Sequence, residues 1–145
     1  MARALRVLLI EDNDDDITLI RTAAQSAGGE HTVCSVNRAS DAIELLQRGE
    51  VKDLPDLVLL DLRMRGMDGF QFLSWLRLHS RFRMPIIVLS ASTLDQDIAA
   101  AYRLGARSFL NKPVVYGDLV HTMKAFFDFW SLCELPTKWT RDTAS

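Results

Sequence analysis

Residues 56–61 read Asp56-Leu57-Val58-Leu59-Leu60-Asp61, four aliphatic side chains closed at each end by a carboxylate. A run this short and this apolar predicts a strand buried on both faces, because a strand with one wet face would alternate. Working outward, Leu5-Arg6-Val7-Leu8-Leu9-Ile10 and Pro85-Ile86-Ile87-Val88-Leu89-Ser90 have the same character, and residues 31–36 and 107–110 read as further strands. Helix-period segments separate them. Ile17, Ile20, Ala23 and Ala24 recur at helical spacing until Gly28-Gly29 breaks the pattern. Residues 39–47 form a second helix, with Ser40 or Asn37 as its cap and Gly49 as its end. Phe70, Phe72, Leu73, Leu76 and Leu78 follow the turn at Asp68-Gly69, residues 95–104 close on Gly105, and the last helix runs from 114 to about 132. Five strands alternating with five helices predict an α/β fold, an open parallel sheet with right-handed crossovers, covered on both faces.

Composition sets the outer limits. A chain of 145 residues holds about one domain and can bury a core without disulfides or structural metal. Apolar residues at 48% and charged residues at 25% exclude a disordered or collagen-like chain. A net charge of -2 argues against a nucleic-acid partner held by bulk electrostatics. No run approaches the roughly 18 apolar residues of a membrane span, and residues 1–6 open straight into a strand, so neither membrane nor signal peptide is expected. The expected location is the cytoplasm. Cys34 and Cys133 form no metal spacing or disulfide framework and are expected as inert, buried thiols.

In open α/β sheets, ligands bind beyond the carboxyl ends of the strands. Strand one ends in Glu11 and Asp12, strand three in Asp61, strand four in Ser90, and strand five runs into Lys112-Pro113. Three carboxylates, a hydroxyl and an ammonium therefore meet at one edge. Crowded carboxylates repel unless some are protonated or a cation joins them, and a hard divalent ion such as Mg²⁺ resolves the conflict. Asp14, Asp15 and Asp16 have a blander explanation, because anions are favoured at a helix start. Asp61 closes a fully apolar run, and a charge there needs a reason. Arginine outnumbers lysine thirteen to four, yet a lysine stands at this edge; an ammonium suits a phosphoryl oxygen and holds a carboxylate when none is present. The Lys112–Pro113 bond is a candidate for the cis isomer.

Glu11-Asp12, Asp61, Ser90-Ala91 and Lys112-Pro113, in this order and at these strand ends, resemble the receiver domain of two-component response regulators. The resemblance covers residues 5 to 130 and implies a flavodoxin-like, CheY-like fold. It implies that Asp61 accepts a phosphoryl group from a histidine kinase. Glu11, Asp12, Asp61 and the backbone carbonyl of Arg63 would hold Mg²⁺, and Ser90 and Lys112 would each bind a phosphoryl oxygen. Phe109 occupies the aromatic switch position; Ser90 moving toward the phosphoryl group would let it turn inward. Such a domain is a phosphoacceptor that hydrolyses its own acyl phosphate, and not an enzyme. Two departures stand out: Arg65 replaces the family's usual proline, and Arg63 lies two residues past the acceptor, where the family's residue influences phosphoryl lifetime. The competing expectations are a degenerate receiver acting as a scaffold and a metal-dependent phosphohydrolase on the same fold. Haloacid-type phosphatases need an aspartate where Arg63 stands.

The expected layout is a receiver domain over residues 1–132 and an arm over 133–145. Thirteen residues after Leu132 are too few for a helix-turn-helix, so output is expected to travel by protein contact. Leu119, Met123, Phe126 and Trp130 form a core-facing stripe, and Phe127 and Phe129 widen the apolar arc to roughly 180°. Leu132, Leu135 and Trp139 continue the apolar run. The segment Phe129-Trp130-Ser131-Leu132-Cys133-Glu134-Leu135-Pro136 resembles the ending of single-domain regulators paired with phytochromes, which implies a phytochrome-type kinase and a homodimer. Phe127, Phe129, Trp130, Leu132, Leu135 and Trp139 are the candidate interface; alternatively the arm folds back over its own domain.

Overall fold

A computed structural model describes residues 3–50, 53–79 and 81–136. The elements alternate: β1 (Arg6–Ile10), α1 (Asp14–Ser26), β2 (Thr32–Val36), α2 (Ala39–Arg48), β3 (Leu57–Leu60), α3 (Gly69–Leu78), β4 (Ile86–Ser90), α4 (Asp95–Arg103), β5 (Ser108–Asn111) and α5 (Tyr116–Trp130). The strands form one parallel sheet in the order β2-β1-β3-β4-β5. This is the CheY-like receiver architecture.

Strand alternation divides the apolar side chains between two cores. Leu8, Ile10, Val58, Leu60, Ile86 and Val88 pack with Ala39, Ala42, Phe72, Leu73 and Ala101 from α2, α3 and α4. Val7, Leu9, Leu57, Leu59, Ile87 and Leu89 pack with Ile20 and Ala23 of α1 and with Leu119, Met123, Phe126 and Phe127 of α5. The central strands β1, β3 and β4 are thus buried on both sides, which is why their sequences show no polar alternation. Winding reverses between β1 and β3, since β2 lies to one side of β1 and β3, β4 and β5 to the other. That reversal opens a crevice at the carboxyl ends of β1 and β3.

Several local expectations are corrected. Arg38 holds the N-cap position of α2 with no side-chain cap bond, and Ser40 lies inside the helix. Neither cysteine is buried: Cys34 is exposed on the edge strand β2, and Cys133 is half-buried, its thiol donating to the Phe129 carbonyl. No peptide bond among the described residues is cis, so the Lys112–Pro113 bond is trans. Helix α5 is shorter than expected, placing Leu132 beyond its end.

The largest correction concerns Phe127. It is 1% exposed and stacks on His31 at 4.4 Å between ring centroids, so it belongs to its own core and not to a free face. Phe129 and Leu132 are exposed, at 61% and 71%. Trp130 and Leu135 are partly buried against the α1/α5 core, and Trp139 lies outside the described residues. The start of the arm does turn back on the domain, with the Arg3 amide donating to the Ser131 carbonyl and Arg3 pairing with Glu134.

Candidate phosphoacceptor site

The site is built by backbone pairing that continues past the strand ends. The amide of Glu11 donates to the Val36 carbonyl, and the amide of Asp61 donates to the Ile10 carbonyl. These bonds hold two carboxylates side by side where the sheet gives way to loops. Glu11 is almost fully buried and Asp61 nearly so. One ligand oxygen from each of Glu11, Asp12 and Asp61 lies within 4.8 Å of the others. Gly69 fixes the far wall: a Cβ there would come within 2.5 Å of the Asp61 carbonyl oxygen and 2.7 Å of Leu62 Cα, so the first turn of α3 packs directly on the backbone of Asp61. Asp68 secures that turn through a capping box with Gln71.

Lys112 enters from the end of β5. Its amide donates to the Ser90 carbonyl, and its Nζ reaches Glu11 Oε1 at 2.5 Å, Asp16 Oδ2 at 3.1 Å and Asp61 Oδ2 at 4.0 Å. Burial pushes the Glu11 carboxyl up to about 7, aided by the adjacent Asp61 and opposed by Lys112. Burial pulls Lys112 down, but its hydrogen bond to Glu11, the charges of Asp61 and Glu11 and its bond to Asp16 outweigh this and leave the ammonium above its ordinary value. The elevated Glu11 reflects a carboxyl taken out of water, with a second carboxylate beside it. Glu11, Asp12 and Asp61, when ionised, leave about two negative charges uncompensated by the one ammonium, which a divalent cation would balance, and the all-oxygen donor set is the kind that a hard ion takes.

The remaining expected residues fall around this centre. Ser90 is buried, and its hydroxyl accepts a bond from the Ser92 amide at 3.2 Å. Phe109, opposite Val88 in the sheet, is half-buried against the core formed with α2, α3 and α4. The Arg63 amide donates to Asp61 Oδ1 at 3.4 Å. The Arg65 amide donates to Asp12 Oδ2 at 2.9 Å, a bond that proline at this position could not make. A cleft of about 550 Å³ opens beside these two loops, lined by Asp12, Asn13, Asn37, Arg38, Arg65 and Gly66 among others.

Two features went unread in the sequence. Asp16 is a second anchor for Lys112 and not only a charge at a helix start; its place on the α1 turn following Asp12 was the available signal. Asp97, a buried carboxylate in the first turn of α4, takes both the Arg63 guanidinium and the Ser92 hydroxyl at 2.7 Å. Nothing in local spacing connects residues 63, 92 and 97.

Residues 7–124 match the family model described as the response regulator receiver domain. The chain is 32% identical to the phosphorylated cyanobacterial phytochrome response regulator RcpA, with a TM-score of 0.79 over 92% of this chain and 99% of that one. The manganese-bound form of response regulator Rcp1 of Synechocystis sp. is 27% identical, with a TM-score of 0.77 over 91% and 99%. The probable methanogenesis regulatory protein FilR2 of Methanothrix harundinacea is 34% identical over 127 residues, 86% of this chain and 82% of that protein. Several other curated relatives are longer, and the chain spans between 16% and 49% of their length.

Proposed function

The chain belongs to the response regulator receiver family, and we propose that Asp61 is its phosphoacceptor, charged by a histidine kinase and read out by protein contact. Receiver domains are phosphoacceptors that bind a divalent metal, and they are not otherwise enzymes. The observation that carries the reading is the grouping of buried Glu11 and Asp61 with half-buried Asp12, and Lys112 set against the two buried carboxylates. Glu11, Asp12, Asp61 and the Arg63 carbonyl would hold Mg²⁺, which supplies charge neutralisation to the oxygens of the phosphoryl group.

An Asp61 carboxylate oxygen attacks phosphorus while the bond from phosphorus to the kinase imidazole breaks, its electron pair leaving with the nitrogen. Lys112 then exchanges its carboxylate contacts for a phosphoryl oxygen, and the Ser90 hydroxyl takes another. Phe109 turns into the space that Ser90 leaves, reshaping the face of α4, β5 and α5. Water attack on phosphorus later breaks the acyl phosphate, releasing inorganic phosphate and restoring the carboxylate. The phosphohydrolase alternative has no second aspartate to work with, because Arg63 stands two residues on and its side chain is engaged by Asp97. His31 and His79 are occupied in aromatic stacks away from this edge.

Incubation with acetyl phosphate and Mg²⁺ tests the reading by intact mass. The wild type gains one base-labile phosphoryl group, about 80 Da, and Asp61→Asn gains none. Equal gain in the mutant, or none in either, overturns it.

The kinase is of the phytochrome type in this reading and the chain works in the cytoplasm. The resemblance to RcpA supports the first, and the lack of any helix among the described residues long and apolar enough to cross a membrane is compatible with the second. A homodimer is built on the end of α5, where Phe129 and Leu132 are exposed, with Trp130 at its margin and the arm beyond. Sedimentation over a range of concentrations, with and without acetyl phosphate, should show a dimer that Phe129→Glu disrupts. A monomer under all conditions removes this part of the proposal.

A further inference from the structure

Asp97 is a buried carboxylate with no part in the chemistry above. Its surroundings form a chain of hydrogen bonds along the site. Starting at the acceptor, Asp61 Oδ1 takes the Arg63 amide at 3.4 Å, and the Arg63 side chain donates to Asp97 Oδ2 at 2.7 Å. The same Asp97 oxygen accepts the Ser92 hydroxyl at 2.7 Å, and the Ser92 amide donates to the Ser90 hydroxyl at 3.2 Å. One oxygen on α4 thereby ties together the loop that carries the acceptor and the loop that carries the phosphoryl-binding serine. The ordinary duty of an acid in a helix first turn is to meet the helix dipole or cap the helix. Here α4 has no side-chain cap, and the carboxylate faces outward to two loops instead.

The Arg63 end is the movable one. Its side chain is 58% exposed while that of Asp97 is 8% exposed, and the guanidinium lies 5.7 Å from the centroid of the Phe70 ring, against which it can slide. A phosphoryl group on Asp61 replaces the single carboxylate charge with about -1.5 to -2, carried on three oxygens, two residues from Arg63. Two anions then compete for one guanidinium.

We infer that Asp97 is a positioning residue for the acceptor site, holding Arg63 and Ser92 on α4 in the unphosphorylated chain and yielding part of its hold on Arg63 to the phosphoryl group when Asp61 is phosphorylated. The inference rests on Asp61 being the acceptor. The start of α4 then reads the state of the site directly, by a route separate from Ser90 and Phe109. Whenever Arg63 leaves, Asp97 is held by Ser92 alone, which loosens the first turn of α4. A guanidinium freed from Asp97 settles on the phosphoryl oxygens, covers the approach of water and lengthens the life of the acyl phosphate.

The test compares wild type, Asp97→Asn, Arg63→Gln and the double variant, each phosphorylated with acetyl phosphate and Mg²⁺ and followed by intact mass after the donor is removed. Asp97→Asn should lengthen the phosphoryl half-life about threefold or more, and the double variant should match Arg63→Gln alone. Hydrogen exchange of the amides of residues 95–99 should rise in wild type on phosphorylation and be raised already in unphosphorylated Asp97→Asn, with the β3 and β4 amides unchanged as a check on the fold. If Asp97→Asn does not fold, Ser92→Ala deletes the other arm of the hydrogen-bond chain and should raise the same amides. Wild type that gains no phosphoryl group overturns the acceptor reading and this inference with it. Normal gain with an unchanged half-life in Asp97→Asn, or additive effects in the double variant, overturns the positioning role alone.

Discussion

At the carboxyl ends of β1 and β3 this molecule buries charge, and at the end of α5 it exposes aromatic and aliphatic surface. Glu11 is 1% exposed, whereas Leu132 and Phe129 are 71% and 61% exposed. Both placements run against the ordinary sorting of side chains, but their physics differs. Buried charge is tolerable only when its partners are fixed, so the carboxylate end is rigid and crowded, with Lys112 pinned by two carboxylates and α3 resting on the Asp61 backbone. Exposed apolar surface needs no fixed partner inside the chain, so the α5 end is loosely committed. Charge at the first end dictates a chemistry, while apolar area at the second only invites contact.

The sharpest way to break that contrast is to remove the ammonium. Lys112→Met leaves Glu11 and Asp61 facing each other in the interior without a counter-charge. Deleting one partner of a buried pair costs about 3 kcal/mol, read by urea unfolding in the absence of metal. Acetyl phosphate uptake should fall about a hundredfold, because the cation that meets the phosphoryl oxygen is gone. Loss of uptake without loss of stability would mean that the carboxylates relax into water and that the end is less rigid than its geometry implies.

Two glycines, each near the start of a helix, make the next comparison. Gly69→Ala places a methyl group against the Asp61 carbonyl and should destabilise by about 2 kcal/mol, with the acceptor displaced and phosphoryl uptake slowed. Gly117, near the start of α5, has nothing within 4 Å of where a Cβ would lie. Gly117→Ala should therefore stabilise by roughly 0.5 to 1 kcal/mol through helix propensity alone. Thermal or urea unfolding of the pair decides, and equal effects at both positions would show that α3 is free to shift away from the acceptor.

The two ends also differ in how much of them was legible in the sequence. Strands buried on both faces leave unbroken aliphatic runs, so β1, β3 and β4 could be placed within a residue, and the residues that follow them came with the strands. Glu11, Asp12, Asp61, Ser90 and Lys112 were thus readable as a set. Asp16 was not, because an acid at a helix start already has a sufficient local reason to be there. The Arg63–Asp97–Ser92 hydrogen bonds join two loops and a helix that meet only in the folded chain. At the α5 end, helical periodicity showed an apolar arc but not what covered it: Phe127 is hidden by His31, just before β2, and no spacing rule within α5 reveals a ring contributed by another element.

That same ring supplies the smallest predicted effect and a test of how committed the α5 end is. His31 stacks on Phe127, and its Nδ1 accepts the Leu5 amide at 2.9 Å, which only the neutral ring with a lone pair on that nitrogen can do. Burial lowers the imidazole below its ordinary 6.5, against an opposing pull from Asp128. With the folded value below the unfolded one, the unfolded chain binds more protons in the interval between them. The contribution of His31 to stability is therefore full above about 6.5 and is lost as the pH falls through the folded value. His31→Phe keeps a ring on Phe127 but removes both the acceptor and the titration. At pH 7.5 it should unfold about 1 kcal/mol more easily than wild type, the worth of the lost Leu5 bond. As the pH falls below about 6.5 the gap should narrow, because the unfolded wild type then takes up a proton that the folded ring resists. A gap that stays constant across this range would assign the bond no role in the acid sensitivity of this end, and a gap that widens would mean that protonated His31 finds Asp128 and holds α5 more firmly than the neutral ring does.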